Sequence, residues 1–437
     1  MNSAPENAAA PQPQQSRLSG GAKDLAISRD SLTVRIASRL TPRRVRAHAL
    51  ILALCLWGIC AIDYATPGLF DRAGNLKFQD FLQFSISAHL VAQGRSRDLY
   101  NSQVLAGAIR QITGTSHIDL KYFYGPQVAL PFTLLNNLSF IPQAEIWVAL
   151  SVAVYFVCVY LITKSCPNVR SSWKVVIPCA IAYPPVFHFF ARAQLSAAAL
   201  LFVTLAYLSF RLGNTLLGGF ALGCLAFKPQ LLVAIPLILL LARGWSILAG
   251  LAVSAAVQLG FAYAYFGHSV MRSYFSVLLY SAARPASTEL NLSAIQMHSL
   301  YSFWELLIPW PIGVWVAYFL SSIIVIAVAA RFWKSSSPLA IRFSVLLVAT
   351  VLVNPHIYIY DLLALAPLFL LLIDWSIQNA DHPNTPALRI LLYLAFLIPL
   401  FGPLAFWTHL QLSVIVFAVL LWTLQKTAIS SRGEGVS

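Results

Sequence analysis

Apolar runs recur along nearly the whole chain, separated by short polar stretches. They lie at about 48–63, 144–163, 175–190, 195–211, 215–227, 231–242, 246–266, 308–331, 339–353, 361–374, 388–404 and 409–425. Runs of this length and apolarity predict bilayer-crossing helices. The expected fold is therefore an all-α polytopic membrane protein with about 11–13 transmembrane helices. Several runs are shorter than the ~20 residues a full crossing needs. The short segments 215–227 and 231–242, with Pro229 between them, predict broken or tilted helices around a cavity. A further apolar run, 126–141, is read as re-entrant or interfacial.

Composition narrows the class. Of 437 residues, 59% are hydrophobic and 10% charged, with a mean hydropathy of +0.73. A soluble globular domain carries roughly 25% charged residues, so an ordinary soluble enzyme is excluded and the lipid bilayer is the first expected partner. The six cysteines lie mostly within apolar runs and have no CxxC or His-paired spacing. They read as small buried hydrophobes, with neither a disulfide framework nor a metal site.

The net charge of +14 would suggest nucleic acid in a soluble protein. Here it sets topology instead, and no nucleic-acid partner is expected. With a cytoplasmic N-terminus, the cytoplasmic segments carry 19 basic and 6 acidic residues, and the opposite face carries 10 and 9. That asymmetry is what the positive-inside rule requires. Counting 126–141 as a full span would move Lys164, Arg170 and Lys174 outside and weaken it. Both termini are then cytoplasmic. Residues 1–45, rich in Ala, Pro, Gln, Ser and Arg, are expected to be disordered, although Ile27–Leu40 could form a basic amphipathic helix on the membrane surface. No secretory leader is expected, since the first apolar run begins near Ala47. Residues 46–426 form the membrane domain and 427–437 a second tail. Two long loops, 64–143 and 267–307, fall on the extracytoplasmic side. Any water-facing site is expected there, which in a Gram-negative inner membrane means the periplasm.

The first outer loop carries Asp80 among Phe78, Phe81, Leu82 and Phe84. A carboxylate in such apolar surroundings makes a better base; alternatively it caps an interfacial helix starting at Phe81. Lys228 interrupts an apolar stretch before Pro229, Arg192 lies at another outer turn and His356 at a third. Ionisable groups at membrane-embedded turns read as functional by default, and cations or N–H donors suit a leaving phosphate. Snorkelling is the structural alternative for Lys228 and Arg192, and helix capping for His356. Asp361, after Tyr358 and Tyr360, could bond a sugar hydroxyl or simply favour a helix N-terminus. Gln194 and Gln230 could bind hydroxyls or join helices. Tyr124 and Trp304 could stack on a sugar or sit in the interfacial belt. Arg284, Glu289, Asn291 and His298 are further candidates for acceptor contacts.

Together these residues carry a resemblance. The pattern Asp80-Phe81…Phe84…Ala88…Leu90-Val91…Gly94…Leu99-Tyr100, followed by Tyr122-Phe123-Tyr124-Gly125-Pro126, resembles the first-loop signature of a bacterial membrane glycosyltransferase family. Arg192-Ala193-Gln194, Lys228-Pro229-Gln230 and Asn354-Pro355-His356-Ile357-Tyr358-Ile359-Tyr360-Asp361 extend the likeness over roughly residues 48–425. The family is glycosyltransferase family 87 of the GT-C superfamily. Its members use polyprenyl-phosphate sugars and are often α-1,2-mannosyltransferases. Two departures stand out: Gly125-Pro126 where the family often has Pro-Pro, and Ala193 where it often has Gly. The resemblance implies that Asp80 takes the proton of an acceptor hydroxyl, that a hexose moves with inversion to a glycolipid or glycan, and that polyprenyl phosphate leaves. It implies Lys228, His356, Arg192, Gln194, Gln230, Tyr124, Tyr360 and Asp361 as substrate contacts, with no cofactor and no metal. The rival readings are a glycan polymerase or ligase, which would favour Arg/His-rich outer loops, and a lipid-linked-sugar flippase, which would place charges at span centres.

Overall fold

The computed structural model describes residues 32–115, 118, 120–282 and 294–433, with only the backbone of the last six. Helices dominate, and no strand occurs among the described residues beyond two isolated β-bridges. Among the described residues, six helices are long and apolar enough to cross a membrane: Pro42–Tyr64, Phe140–Lys164, Trp245–Ser281, Pro311–Lys334, Ile359–Gln378 and Thr385–Thr408. A bent pair, Trp173–Ala182 and Pro184–Arg192, meets at 47° and counts as a seventh if taken as one span. Five shorter apolar helices complete the set: Ser196–Arg211, Thr215–Phe227, Pro229–Leu241, Leu339–Val353 and Leu412–Thr427. These twelve segments coincide with the twelve apolar runs, and the chain is an all-α polytopic membrane protein. Only half of them reach crossing length unaided, fewer than the 11–13 expected. Proline is one cause: Pro184 starts the second arm of the bent pair, Pro229 separates two short helices, and Pro355 follows the end of another. Each removes a backbone donor and forces its predecessor out of the helical region.

Small residues set the closest helix contact. Thr215–Gly223 packs along Trp245–Ala282, and a Cβ on Gly219 would come within 2.0 Å of the Ile247 carbonyl oxygen. With lipid outside, such backbone proximity is the main way two apolar helices gain dispersion energy. The long helix kinks at Gly267 (φ 78°, ψ 174°), a conformation open essentially to glycine alone. It then continues helically to Ala282, so the outer loop expected from 267 begins as a helical arm. Burial of Val270, Met271 and Tyr274 explains the continuation.

The first loop is folded. Leu82–Ala92 is almost wholly buried, and Ser102–Thr113 is capped by Asn101 and ended by Gly114. Residues 126–141 do not cross: they form a 3-10 turn, Pro126–Ala129, and one helical turn, Leu130–Thr133, before the Phe140 helix begins. Phe132 anchors this stretch, its ring 5.4 Å from Phe81, 5.3 Å from Phe84 and 4.9 Å from Trp147. Such ring pairs contribute about 0.5–1.5 kcal/mol each beyond their area. At the N-terminal end, disorder expected to residue 45 gives way to helix at Leu32–Arg39 and again from Pro42. Thr41 supplies a side-chain cap and Pro42 an N1 residue that has no N–H to satisfy. At the other end the last helix runs on to Gly433, through most of the expected tail.

Candidate active site

Breaks in the helices gather the polar residues. A cavity of about 1080 Å³ opens between the first loop, the end of the bent pair, the Lys228 break and the segment after Asn354. Asp80, Tyr124, Arg192, Gln194, Lys228 and His356 all line it, with Gln230 and Tyr360 beside them. The lining also has apolar members, among them Trp315, Phe319, Phe406 and Trp407. Phe406 and Trp407 are exposed, as expected of side chains that meet lipid.

Asp80 is placed by a strained turn. Phe78 sits in the left-handed region (φ 54°, ψ 35°), its ring 6.4 Å from Phe190 on the arm that carries Arg192. The chain then makes a 3-10 turn, Gln79–Phe81, so Asp80 caps nothing: Leu82–Ala92 begins without a side-chain cap. Instead the Asp80 carboxylate accepts from Arg192 Nη1 at 3.2 Å and from Gln194 Nε2 at 2.7 Å. Gln194 is itself anchored, its Oε1 accepting from the Tyr124 hydroxyl at 3.1 Å and the Leu195 N–H at 3.3 Å. Burial, followed by the fields of Asp361 and Asp80, pushes the Tyr124 phenol well above its usual range, so it stays a donor. Tyr124 is buried and lines the cavity; its hydroxyl orients Gln194, and Gln194 orients Asp80.

Ala193, between the two donors, is fully buried and left-handed (φ 52°, ψ 48°). A Cβ there costs roughly 1 kcal/mol. Ala193→Gly is therefore expected to stabilise the protein by about 0.5–1 kcal/mol, read as a raised unfolding midpoint, while Ala193→Val lowers it.

Lys228 occupies the break between two 3-10 turns, Cys224–Phe227 and Pro229–Leu232, kept out of the helical region (φ −128°, ψ 74°) by the following proline. It does not snorkel. Its ammonium is ion-paired with Asp361, both side chains are 2% exposed, and the Tyr360 ring lies 5.0 Å below it. The second Asp361 oxygen accepts from the Tyr358 N–H at 3.3 Å. Asp361 is thus held by Lys228 and the Tyr358 N–H and, unlike Lys228, is not among the residues that line the cavity. Lys228 reaches the cavity with its charge already answered.

After Leu339–Val353, the buried Asn354 turns the chain, its Oδ1 accepting from the His356 N–H at 2.9 Å. His356 caps no helix. Burial lowers its imidazole pKa to about 4, so it is neutral at pH 7. His298 lines the same cavity, with Nδ1 2.8 Å from Ser413 Oγ; burial first, then nearby His188, lowers it to about 3. Trp304 is structural, donating to Ser321 Oγ at 3.0 Å. Arg284, Glu289 and Asn291 lie outside the described residues. Among the described residues, no group of three or more His, Cys, Asp or Glu side chains is placed to hold a metal ion.

Gln83, Lys121 and His188 also line the cavity without having been remarked in the sequence, as does Tyr358, which was quoted there but given no role. Gln83 donates to the Asp80 carbonyl at 3.0 Å. Lys121 precedes the aromatic-Pro segment, and that position was the available signal. Tyr358 lay in the quoted motif beside Tyr360, and its buried hydroxyl has no partner among the described residues.

The family model of glycosyltransferase family 87 matches residues 122–355, more than half of the chain. The chain belongs to glycosyltransferase family 87. No curated protein and no solved structure matches it. The family match includes Tyr124, Arg192, Gln194, Lys228 and Gln230, whereas Asp80, His356, Tyr360 and Asp361 fall outside it. Asp80, His356 and Tyr360 enter the site as lining residues, and Asp361 through its bond to Lys228. As a family 87 protein with apolar helices of crossing length, it is a multi-pass membrane glycosyltransferase.

Proposed function

We propose that the protein transfers a hexose, mannose in its family's usual manner, from a polyprenyl-phosphate donor to a hydroxyl of a glycolipid or glycan. The reaction takes place on the extracytoplasmic face of a bacterial inner membrane, with both termini cytoplasmic. Asp80 accepts the proton of the acceptor hydroxyl as its oxygen bonds to the anomeric carbon. The bond from that carbon to the phosphate oxygen breaks, its electron pair leaves with polyprenyl phosphate, and the configuration inverts. The neutral His356 and the Arg192 guanidinium supply N–H donors to the departing oxygens. The lipid-linked sugar is already activated, so this reading asks for no cofactor.

The observation that carries the proposal is the position of the Asp80 carboxylate. It lies in a cavity lined both by polar and charged side chains and by large apolar ones, of which Phe406 and Trp407 are exposed. A sugar phosphate on a long hydrocarbon tail has the same two characters. Ligand sites commonly measure about 300–1,000 Å³, so this cavity has room for a donor sugar and an acceptor together. The test is transfer by the purified protein in liposomes, with labelled mannose presented on polyprenyl phosphate or on a nucleotide and membrane glycolipids as acceptors. Transfer from the lipid-linked donor alone is expected. Equal use of the nucleotide donor, or no transfer from any lipid-linked hexose, overturns the reading.

A further inference from the structure

Two cation–carboxylate pairs of opposite character meet at this site. Lys228 and Asp361 are sealed, each 2% exposed, with the second carboxylate oxygen held by a backbone N–H. Arg192 and Asp80 are loosely joined. One guanidinium nitrogen meets one carboxylate oxygen at 3.2 Å, longer than the ~2.7–2.9 Å of a strong charge-assisted bond. The Arg192 side chain is 40% exposed and lines the cavity. Asp80 does not need Arg192 to stay in place, because its other oxygen is held at 2.7 Å by Gln194, which is anchored in turn by Tyr124 and Leu195. Gln194 is the fixed holder and Arg192 the movable one.

A carboxylate oxygen occupied by a guanidinium cannot also take a hydrogen bond from an incoming hydroxyl along the same direction. We propose that Arg192 is an exchangeable partner: it bonds Asp80 in the empty site and moves to the phosphate of the lipid-linked donor when that arrives, leaving the Asp80 Oδ1 position to the acceptor hydroxyl. The inference rests on the cavity being the donor site. It is favoured because a planar guanidinium can bind phosphate through two parallel N–H bonds, where here it makes one long contact. The consequence is ordered binding, donor before acceptor, with the base masked until a donor is in place.

The test is a double-mutant cycle on binding, independent of turnover. The affinity of the full chain for polyprenyl monophosphate is measured for the wild type, Asp80→Asn, Arg192→Gln and the double variant. Asp80→Asn frees Arg192 from its competitor, so it is expected to tighten binding about five- to tenfold when Arg192 is present. Removing a carboxylate also relieves repulsion of the anion, but that part persists without Arg192. In the Arg192→Gln background the tightening is therefore expected to fall below twofold. Equal tightening in both backgrounds overturns the exchange and leaves the donor site standing. Absence of binding in the wild type overturns both. If Arg192→Gln fails to fold, Arg192→Lys serves: a point charge without the two-pronged fork is expected to cut the coupling at least twofold, and undiminished coupling overturns the proposal.

Discussion

Asp80→Asn is expected to abolish sugar transfer while leaving the protein folded. The substitution keeps size and shape and removes only the ability to accept a proton. Loss of a positioned general base costs typically about 10²–10⁴-fold in rate, so turnover with polyprenyl-phosphate mannose falls to the assay floor. The structural cost is small. The amide oxygen of Asn can still accept from Gln194 Nε2, now at 2.7 Å from Asp80, and the lost partner, Arg192, is 40% exposed. Part-exposed ion pairs contribute about 0–1 kcal/mol, so the unfolding midpoint should barely move. Two measurements on the same preparation decide the matter. Turnover within tenfold of wild type removes Asp80 as the base. A collapse of turnover together with loss of the folded state makes Asp80 a structural residue whose cavity position is incidental.

Much of this arrangement was legible in the chain, for physical reasons that also mark where legibility ends. Helix positions follow from runs of apolar residues, and these need no partner to be recognised. The break at Lys228-Pro229 is legible too, since proline removes a donor wherever it lies. Pairing across the chain is not. Arg192 lies 112 residues from Asp80, and Asp361 lies 133 from Lys228. Residue type announces that each charge is costly in a membrane but not which opposite charge answers it. Lys228 therefore read as a cation awaiting a phosphate, while the fold gives it a carboxylate. Asp80 read as a base or as a helix cap, since Phe81 follows it; Phe78, turned left-handed, delays the helix, and the carboxylate bonds Arg192 instead of capping. Tyr124 read as a sugar-stacking or interfacial aromatic because its hydrogen-bond partner, Gln194, is distant in sequence.

Lys228 is where the sequence and the structure make different predictions, and where the largest loss of stability is expected. Read from the sequence, Lys228→Ala would mainly weaken donor binding. With Lys228 and Asp361 both 2% exposed and bonded to each other, removing either leaves the other as an uncompensated buried charge. Such a break costs about 3–5 kcal/mol. Lys228→Met and Asp361→Leu are each expected to lower the unfolding midpoint sharply, and by similar amounts. The double variant Lys228→Met/Asp361→Leu removes both charges at near-constant volume. It should recover most of the loss, because replacing a buried pair by apolar groups is often neutral or even favourable by about 1–4 kcal/mol. Recovery is the decisive observation, since a pure donor-binding lysine would give a Met variant of wild-type stability and no rescue by a second substitution. Losses that simply add would mean the two side chains do not answer each other. The double variant also tells what the pair is for. If it folds at wild-type stability and still transfers sugar, the charges serve only the broken helix. If it folds and binds donor but does not turn over, the ammonium beneath the cavity acts on the reaction through its field across the wall it shares with Tyr360, 5.0 Å away.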